Sequence, residues 1–283
     1  MKLHVPALLA LATASFALQT GCAASVDDDG DLSSSESALL ADDQESAEAE
    51  EDVDVGLDQP LSGADPTAPG ETPNAPDFIV NVRKNPGRFF TPAGCLTSTL
   101  DEANKTVTHV FDDCTGPHGL KTFNGTVVTT WRTENGSLIV RNSSEGFQIN
   151  GKTISGYREL TFSRSGTIIT RNRVGDWTGT TAKGDALKHD ANFTVTYDTS
   201  TKCLTRNGTA TRTRGTKQHT RTVVGYQVCG VEFRGCPKAG KVSIKNGDNQ
   251  LDVDYEGGTS AVISRPNKPK KIYKRLVCVE RAR

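Results

Sequence analysis

Between residues 23 and 77 the chain carries seventeen Asp or Glu and not one Lys or Arg. Other things are missing as well. No apolar run reaches the roughly 20 residues that a membrane-spanning helix needs. The longest candidate, residues 5–18, is fourteen residues long and follows Lys2, which fits a cleaved export leader rather than a permanent span. There is no C-x-x-C pair, no H-E-x-x-H and no G-x-S-x-G. Those gaps remove the local signatures of a thiol redox centre, a zinc hydrolase and a nucleophile elbow. A catalytic group gathered from distant loops leaves no such signature, so catalysis is not excluded.

The acid-only stretch also has almost no aromatic or β-branched residues. Such a composition cannot bury enough apolar surface to offset the entropy of ordering, and predicts a disordered arm. At 55 residues it would average roughly 40 Å end to end as a flexible tether. Residues 78–283 are the reverse, with thirty-two Lys or Arg against seventeen Asp or Glu, so an arm of −17 adjoins a domain of +15 and the overall −1 conceals both. An electrostatic fold-back of the arm onto that domain is expected to weaken with salt.

The seven cysteines are Cys22, Cys95, Cys114, Cys203, Cys229, Cys236 and Cys278. Cys22 ends the stretch Leu18-Gln19-Thr20-Gly21-Cys22, which resembles the lipobox of bacterial lipoproteins, with Gln19 where that family has an apolar residue. The resemblance implies cleavage before Cys22 and attachment of lipid to its sulfur; the alternative is ordinary secretory cleavage near the same place. With Cys22 set aside, six thiols remain for an oxidising compartment. Sequential pairs are expected, Cys95 with Cys114, Cys203 with Cys229 and Cys236 with Cys278, because each would cross-link neighbouring hairpin strands. The domain division follows: residues 1–21 leader, 22–77 acidic tether, 78–283 basic domain.

From Phe78 the texture is short Thr, Val, Ile and aromatic runs broken by glycine turns, which predicts an all-β chain. Asn-Gly, the strongest short hairpin signal, starts at Asn124, Asn135, Asn150, Asn207 and Asn246. The first and fourth are expected to be bulges inside long strands. About twelve strands are expected in an antiparallel meander: 106–111, 121–133, 137–144, 152–164, 167–178, 189–197, 203–214, 219–229, 240–244, 250–255, 260–264 and 272–280. An elongated sheet, a sandwich or an incomplete barrel would each accommodate them. Leu251, Val253 and Tyr255 alternate with Asp252, Asp254 and Glu256, giving one dry and one wet face. In residues 205–216 threonine alternates with arginine and neither face is apolar, which suits an exposed sheet edge or a groove lined with polar groups.

Thr106-Val107-Thr108-His109-Val110-Phe111-Asp112-Asp113-Cys114-Thr115-Gly116, then Gly125-Thr126-Val127 and Ile149-Asn150-Gly151-Lys152-Thr153-Ile154-Ser155-Gly156, resemble a group of uncharacterised bacterial envelope lipoproteins. Gly240-Lys241-Val242 and Val253-Asp254-Tyr255-Glu256-Gly257-Gly258-Thr259 are similar to that group's closing strands, with Thr259-Ser260 where a Cys-Asp is expected. The resemblance spans roughly residues 95–264. It implies a long antiparallel sheet on a lipid anchor and brings no site residues with it.

Three motifs dissolve on inspection. Residues 235–242 have P-loop spacing, but Val242 replaces the metal-binding hydroxyl, Pro237 removes a donor and a strand follows. Asp252, Asp254 and Glu256 begin like a calcium loop, yet Ile263 stands where the bidentate carboxylate belongs. Asp112, Asp113 and His118 read as a turn rather than a metal site. No metal or cofactor is expected.

The basic clusters remain. Arg164, Arg171 and Arg173 lie close in sequence, as do Arg206, Arg212, Arg214, Lys217 and Arg221, and Lys268, Lys270, Lys271, Lys274 and Arg275. They predict a non-enzymatic, lipid-anchored envelope protein, exported and held at the outer membrane or else secreted, with a basic face for anionic polysaccharide or lipopolysaccharide headgroups. No specific nucleic acid is expected, and the oligomeric state is left open. The competing expectations are an envelope glycan hydrolase and a lipid or glycolipid carrier built on an open curved sheet.

Overall fold

The computed structural model describes residues 90–116, 121–181, 184–230, 236–266 and 268–275. These residues are all-β, with no helix among them. Thirteen strands follow one another: β1 (Leu96–Asp101), β2 (Thr106–Thr115), β3 (Thr122–Glu134), β4 (Ser137–Ile149), β5 (Lys152–Ser165), β6 (Ile168–Thr180), β7 (Ala186–Asp198), β8 (Cys203–Arg214), β9 (Lys217–Cys229), β10 (Ala239–Asn246), β11 (Asn249–Tyr255), β12 (Ser260–Arg265) and β13 (Lys268–Arg275). They form a single sheet in strict sequence order, every pair antiparallel. The strand not foreseen is β1, a short Thr/Ser-rich run hidden behind the Pro92–Gly94 turn.

Turn chemistry fixes the register. Asn135 and Asn150 take φ of 49° and 50°, each followed by a glycine at positive φ, the geometry that matches strand twist in two-residue hairpins. Asn150 also accepts the Thr122 N–H on its Oδ1 at 2.8 Å, tying the β4–β5 turn to β3. The two remaining mid-strand Asn-Gly pairs are bulges: the β3–β4 register slips between Asn124 and Val127, and the β8–β9 register slips at Arg206/Gly208. In the second, Asn207 Oδ1 accepts the Gly225 N–H at 2.7 Å, using the donor that the slip takes out of the ladder.

One face of the sheet carries the core. On β1–β6 it holds Phe111, Phe123, Phe147, Ile149 and Trp177, and on β7–β12 it holds Phe193, Val223, Tyr226, Leu251 and Ile263. Phe90 meets Phe111 and Phe123 edge-on, at centroid separations of 5.4 and 5.7 Å, closing the β1 end. Disulfides pin both regions. Cys95–Cys114 joins the start of β1 to β2, and Cys203–Cys229 joins directly opposed residues of β8 and β9. Cys236 is also disulfide-bonded; its expected partner, Cys278, lies outside the described residues. Bonds of this kind mark an oxidising compartment.

Candidate anion-binding face

Strand register shows which basic residues share a face. Across β5–β9 the aligned rows read Arg158, Gly175, Ala191, Ala210, Arg221; then Leu160, Arg173, Phe193, Gly208, Val223; then Phe162, Arg171, Val195, Arg206, Tyr226; then Gly156, Trp177, His189, Arg212, His219. All of these lie on the core side. Arginines from four strands, β5, β6, β8 and β9, therefore surround a row of small residues, Gly175, Ala191, Gly208 and Ala210.

The expectation that residues 205–216 form an exposed edge is corrected: β8 sits between β7 and β9, and its inner side packs beside Ala191, Phe193 and Val223 of the core. Arg158 and Arg173 are each 4% exposed and Arg212 8%. Guanidinium groups at that depth require acceptors close by, because an uncompensated charge there is expensive. No Asp or Glu occupies a position of this face from β4 to β11 among the described residues. At the rim, Asp185 accepts Arg214 Nε at 3.2 Å.

Aromatic rings supply part of the lining. The Arg206 guanidinium lies 4.1 Å from the Phe193 ring centroid and that of Arg173 5.6 Å from it, a cation–π arrangement that tolerates desolvation better than an ammonium would. Trp177 stacks on His189 at 5.1 Å and 29°. His219 Nε2 lies 3.3 Å from Asn246 Nδ2.

Further along the same face, on β2, His109 shares a 2.9 Å hydrogen bond with Ser98, and burial pushes its imidazole down to about 4. On β3 and β4 the buried Thr129 hydroxyl donates to Asn142 Oδ1 at 2.8 Å.

The opposite face follows different rules. Arg132 reaches Glu159 at 3.3 Å and Glu134 at 3.5 Å, and Arg141 lies 3.9 Å from Glu159 while sitting 3.7 Å over the Tyr157 ring. Lys241 pairs with Asp252 at 2.8 Å. Burial pushes the Asp252 carboxyl up, but bonds from Lys241, Ser243 and Gln250 outweigh it and leave the group below its ordinary value. Asp252 is therefore buried beside Lys241 rather than solvated, which departs from the reading of 252–256 as a wet strand face, and Glu256 lies beyond the end of β11. Asp112 and Asp113 lie inside strand β2 rather than in a turn, and Asp113, at the strand's bulge with φ 48°, accepts Asn124 Nδ2 at 2.6 Å.

The residues singled out from sequence thus separate. Arg206, Arg212 and Arg214 come together on the core side with Arg171, Arg173 and Arg221. Lys217 is exposed at the start of β9. Lys268, Lys270, Lys271, Lys274 and Arg275 all fall on β13, hydrogen-bonded to β12 at the far end of the sheet, five strands from β8. They do not join the arginine cluster. Arg158 was missed, because only register places it opposite Gly175. Cys22, the leader, the acidic arm and His118 lie outside the described residues. No known protein family, curated protein or solved structure matches the chain.

Proposed function

We propose that this is a non-enzymatic, lipid-anchored protein of the bacterial cell envelope that binds an anionic polymer on the arginine face of its sheet. The observation that carries the reading is the placement of Arg158, Arg171, Arg173, Arg206, Arg212 and Arg221, from β5, β6, β8 and β9, on one face of the sheet around a row of small residues. Guanidinium groups present paired donors matched to carboxylate, phosphate or sulfate.

The site needs no chemistry beyond binding: donors converge, and the small residues are inert. Cys22 would hold the mature protein at the membrane while the basic domain reaches the polymer. Anisotropy titration of the mature chain with fluorescent heparin tests the binding. The expected affinity falls steeply with salt, and Arg171→Gln with Arg206→Gln lowers both affinity and salt slope. Binding indifferent to salt overturns the reading. Palmitate labelling of wild type and Cys22→Ser tests the anchor, which fails if the wild type is unlabelled and soluble.

A further inference from the structure

We infer that Asn135 is a site of spontaneous covalent modification: its side chain deamidates through attack by the Gly136 nitrogen, while the fold holds the four other Asn-Gly pairs against the same reaction.

Asn-Gly is the pair most open to this chemistry, because glycine has no side chain to shield its nitrogen. The pairs start at Asn124, Asn135, Asn150, Asn207 and Asn246. Exposure does not separate them, since all are exposed except the half-buried Asn246. Bonding of the side-chain amide does. Asn124 Nδ2 donates to Asp113 Oδ1 at 2.6 Å. Asn150 Oδ1 accepts the Thr122 N–H at 2.8 Å and its hydroxyl at 3.4 Å. Asn207 Oδ1 accepts the Gly225 N–H at 2.7 Å, and Asn246 Nδ2 lies 3.3 Å from His219 Nε2. Among the described residues the Asn135 amide has no such partner.

The backbone around Asn135 is equally free. Glu134 on β3 faces Ser137 on β4, so Asn135 and Gly136 alone make the turn, at φ of 49° and 73°. The Gly136 N–H makes no backbone hydrogen bond there, and nothing lies within 4 Å of where a Gly136 Cβ would stand. Residues 132–136 are all exposed. Ring closure needs the carboxamide carbon to swing onto the next nitrogen, and at this tip neither partner is engaged.

Solvent base takes the Gly136 amide proton, and the nitrogen attacks Asn135 Cγ. The N–Cγ bond forms, Cγ–Nδ2 breaks, and Nδ2 leaves as ammonia with a proton from water. Water then adds to one carbonyl of the resulting succinimide. Opening at Cγ gives aspartate; opening at the α-carbonyl gives isoaspartate, with the chain routed through Cγ. Either product places a new carboxylate beside Glu134, which already pairs with Arg132. Isoaspartate also lengthens the backbone of the two-residue turn.

The test follows the purified chain in mildly alkaline buffer over days. Its Asn-Gly peptides are read by mass spectrometry, with isoaspartate told from aspartate by electron-transfer fragmentation. Asn135 is expected to convert roughly tenfold faster than each of the others, which must first give up a hydrogen bond. In urea all are expected to convert at similar rates. A folded chain in which Asn135 is no faster overturns the inference, as does the same ranking kept in urea.

Two variants separate the causes. Asp113→Gly removes the acceptor of Asn124 and suits the φ of 48° at that position. It is expected to speed conversion of Asn124 roughly tenfold and leave Asn135 unchanged; Asn124 unaltered in the folded variant overturns the role given to side-chain bonding. Asn135→Gly keeps a residue suited to the turn. It is expected to lose the fast-forming acidic species on ion exchange, and persistence of that species overturns the site. If Asp113→Gly does not fold, the comparison of folded and urea-treated wild type decides.

Discussion

At the scale of single residues, the most informative positions are those where the sheet has no tolerance. Gly208 takes φ of 146° inside β8, and a Cβ there would run into Asn192 O and the Phe193 ring. Gly208→Ala is expected to cost about 2–4 kcal/mol, measured by urea unfolding, and to disturb the cation–π contact of Arg206. His109 offers a pH handle. Its folded pKa of about 4 lies below the unfolded value of about 6.5, so between these the unfolded chain binds the extra proton. Stability therefore falls as pH drops from about 6.5 to about 4, by up to about 3 kcal/mol, and is flat in this respect above and below. His109→Gln should flatten that part of the profile; an unchanged slope refutes the assignment.

Asp198 works by local bonding instead. Its carboxylate accepts the Ser200 hydroxyl at 2.6 Å and N–H at 2.9 Å and the Thr201 hydroxyl at 3.1 Å, which hold it down at about 2. The β7–β8 turn keeps these bonds until the solution is strongly acidic.

At the scale of elements, the sequence was most readable where local chemistry decides. Strand β8 was placed at both ends because Cys203 follows a Thr/Ser/Lys turn and Gly215 follows Arg214. The two Asn-Gly bulges were legible because each falls in the middle of an otherwise unbroken β run. The face that the arginines occupy was not legible. Alternation tells which residues of a strand share a side, but in 205–216 both sides are polar, so only pairing with Ala191 and Phe193 of β7 reveals that the arginine side is inward. For the same reason Arg158 stood out from nothing around it.

The Cys203–Cys229 bridge makes the β8–β9 hairpin a testable unit. It closes a span of 26 residues with a Cα separation of 4.0 Å. Cys203→Ser with Cys229→Ser is expected to cost about 2–4 kcal/mol, read as a lower urea midpoint, with loosening concentrated at the β8 start beside Arg206.

At the scale of the whole molecule, strand order equals chain order. Among the described residues each interior strand is hydrogen-bonded to its two sequence neighbours, while β1 and β13 have one each. Protection against amide exchange should therefore peak in β5–β8, which are among the longest strands and carry inner-face arginines, and decline toward both edges. Fastest exchange at β6–β7 would contradict this.

A sheet laid down in chain order has a grammar of hairpins, each one a clause that can be added or dropped without re-threading its neighbours. The inner-face arginine cluster falls within strands β5–β9 alone. Removing a whole hairpin at either end would thus leave the pairing of β5–β9 intact, so those guanidinium groups would keep their positions relative to one another.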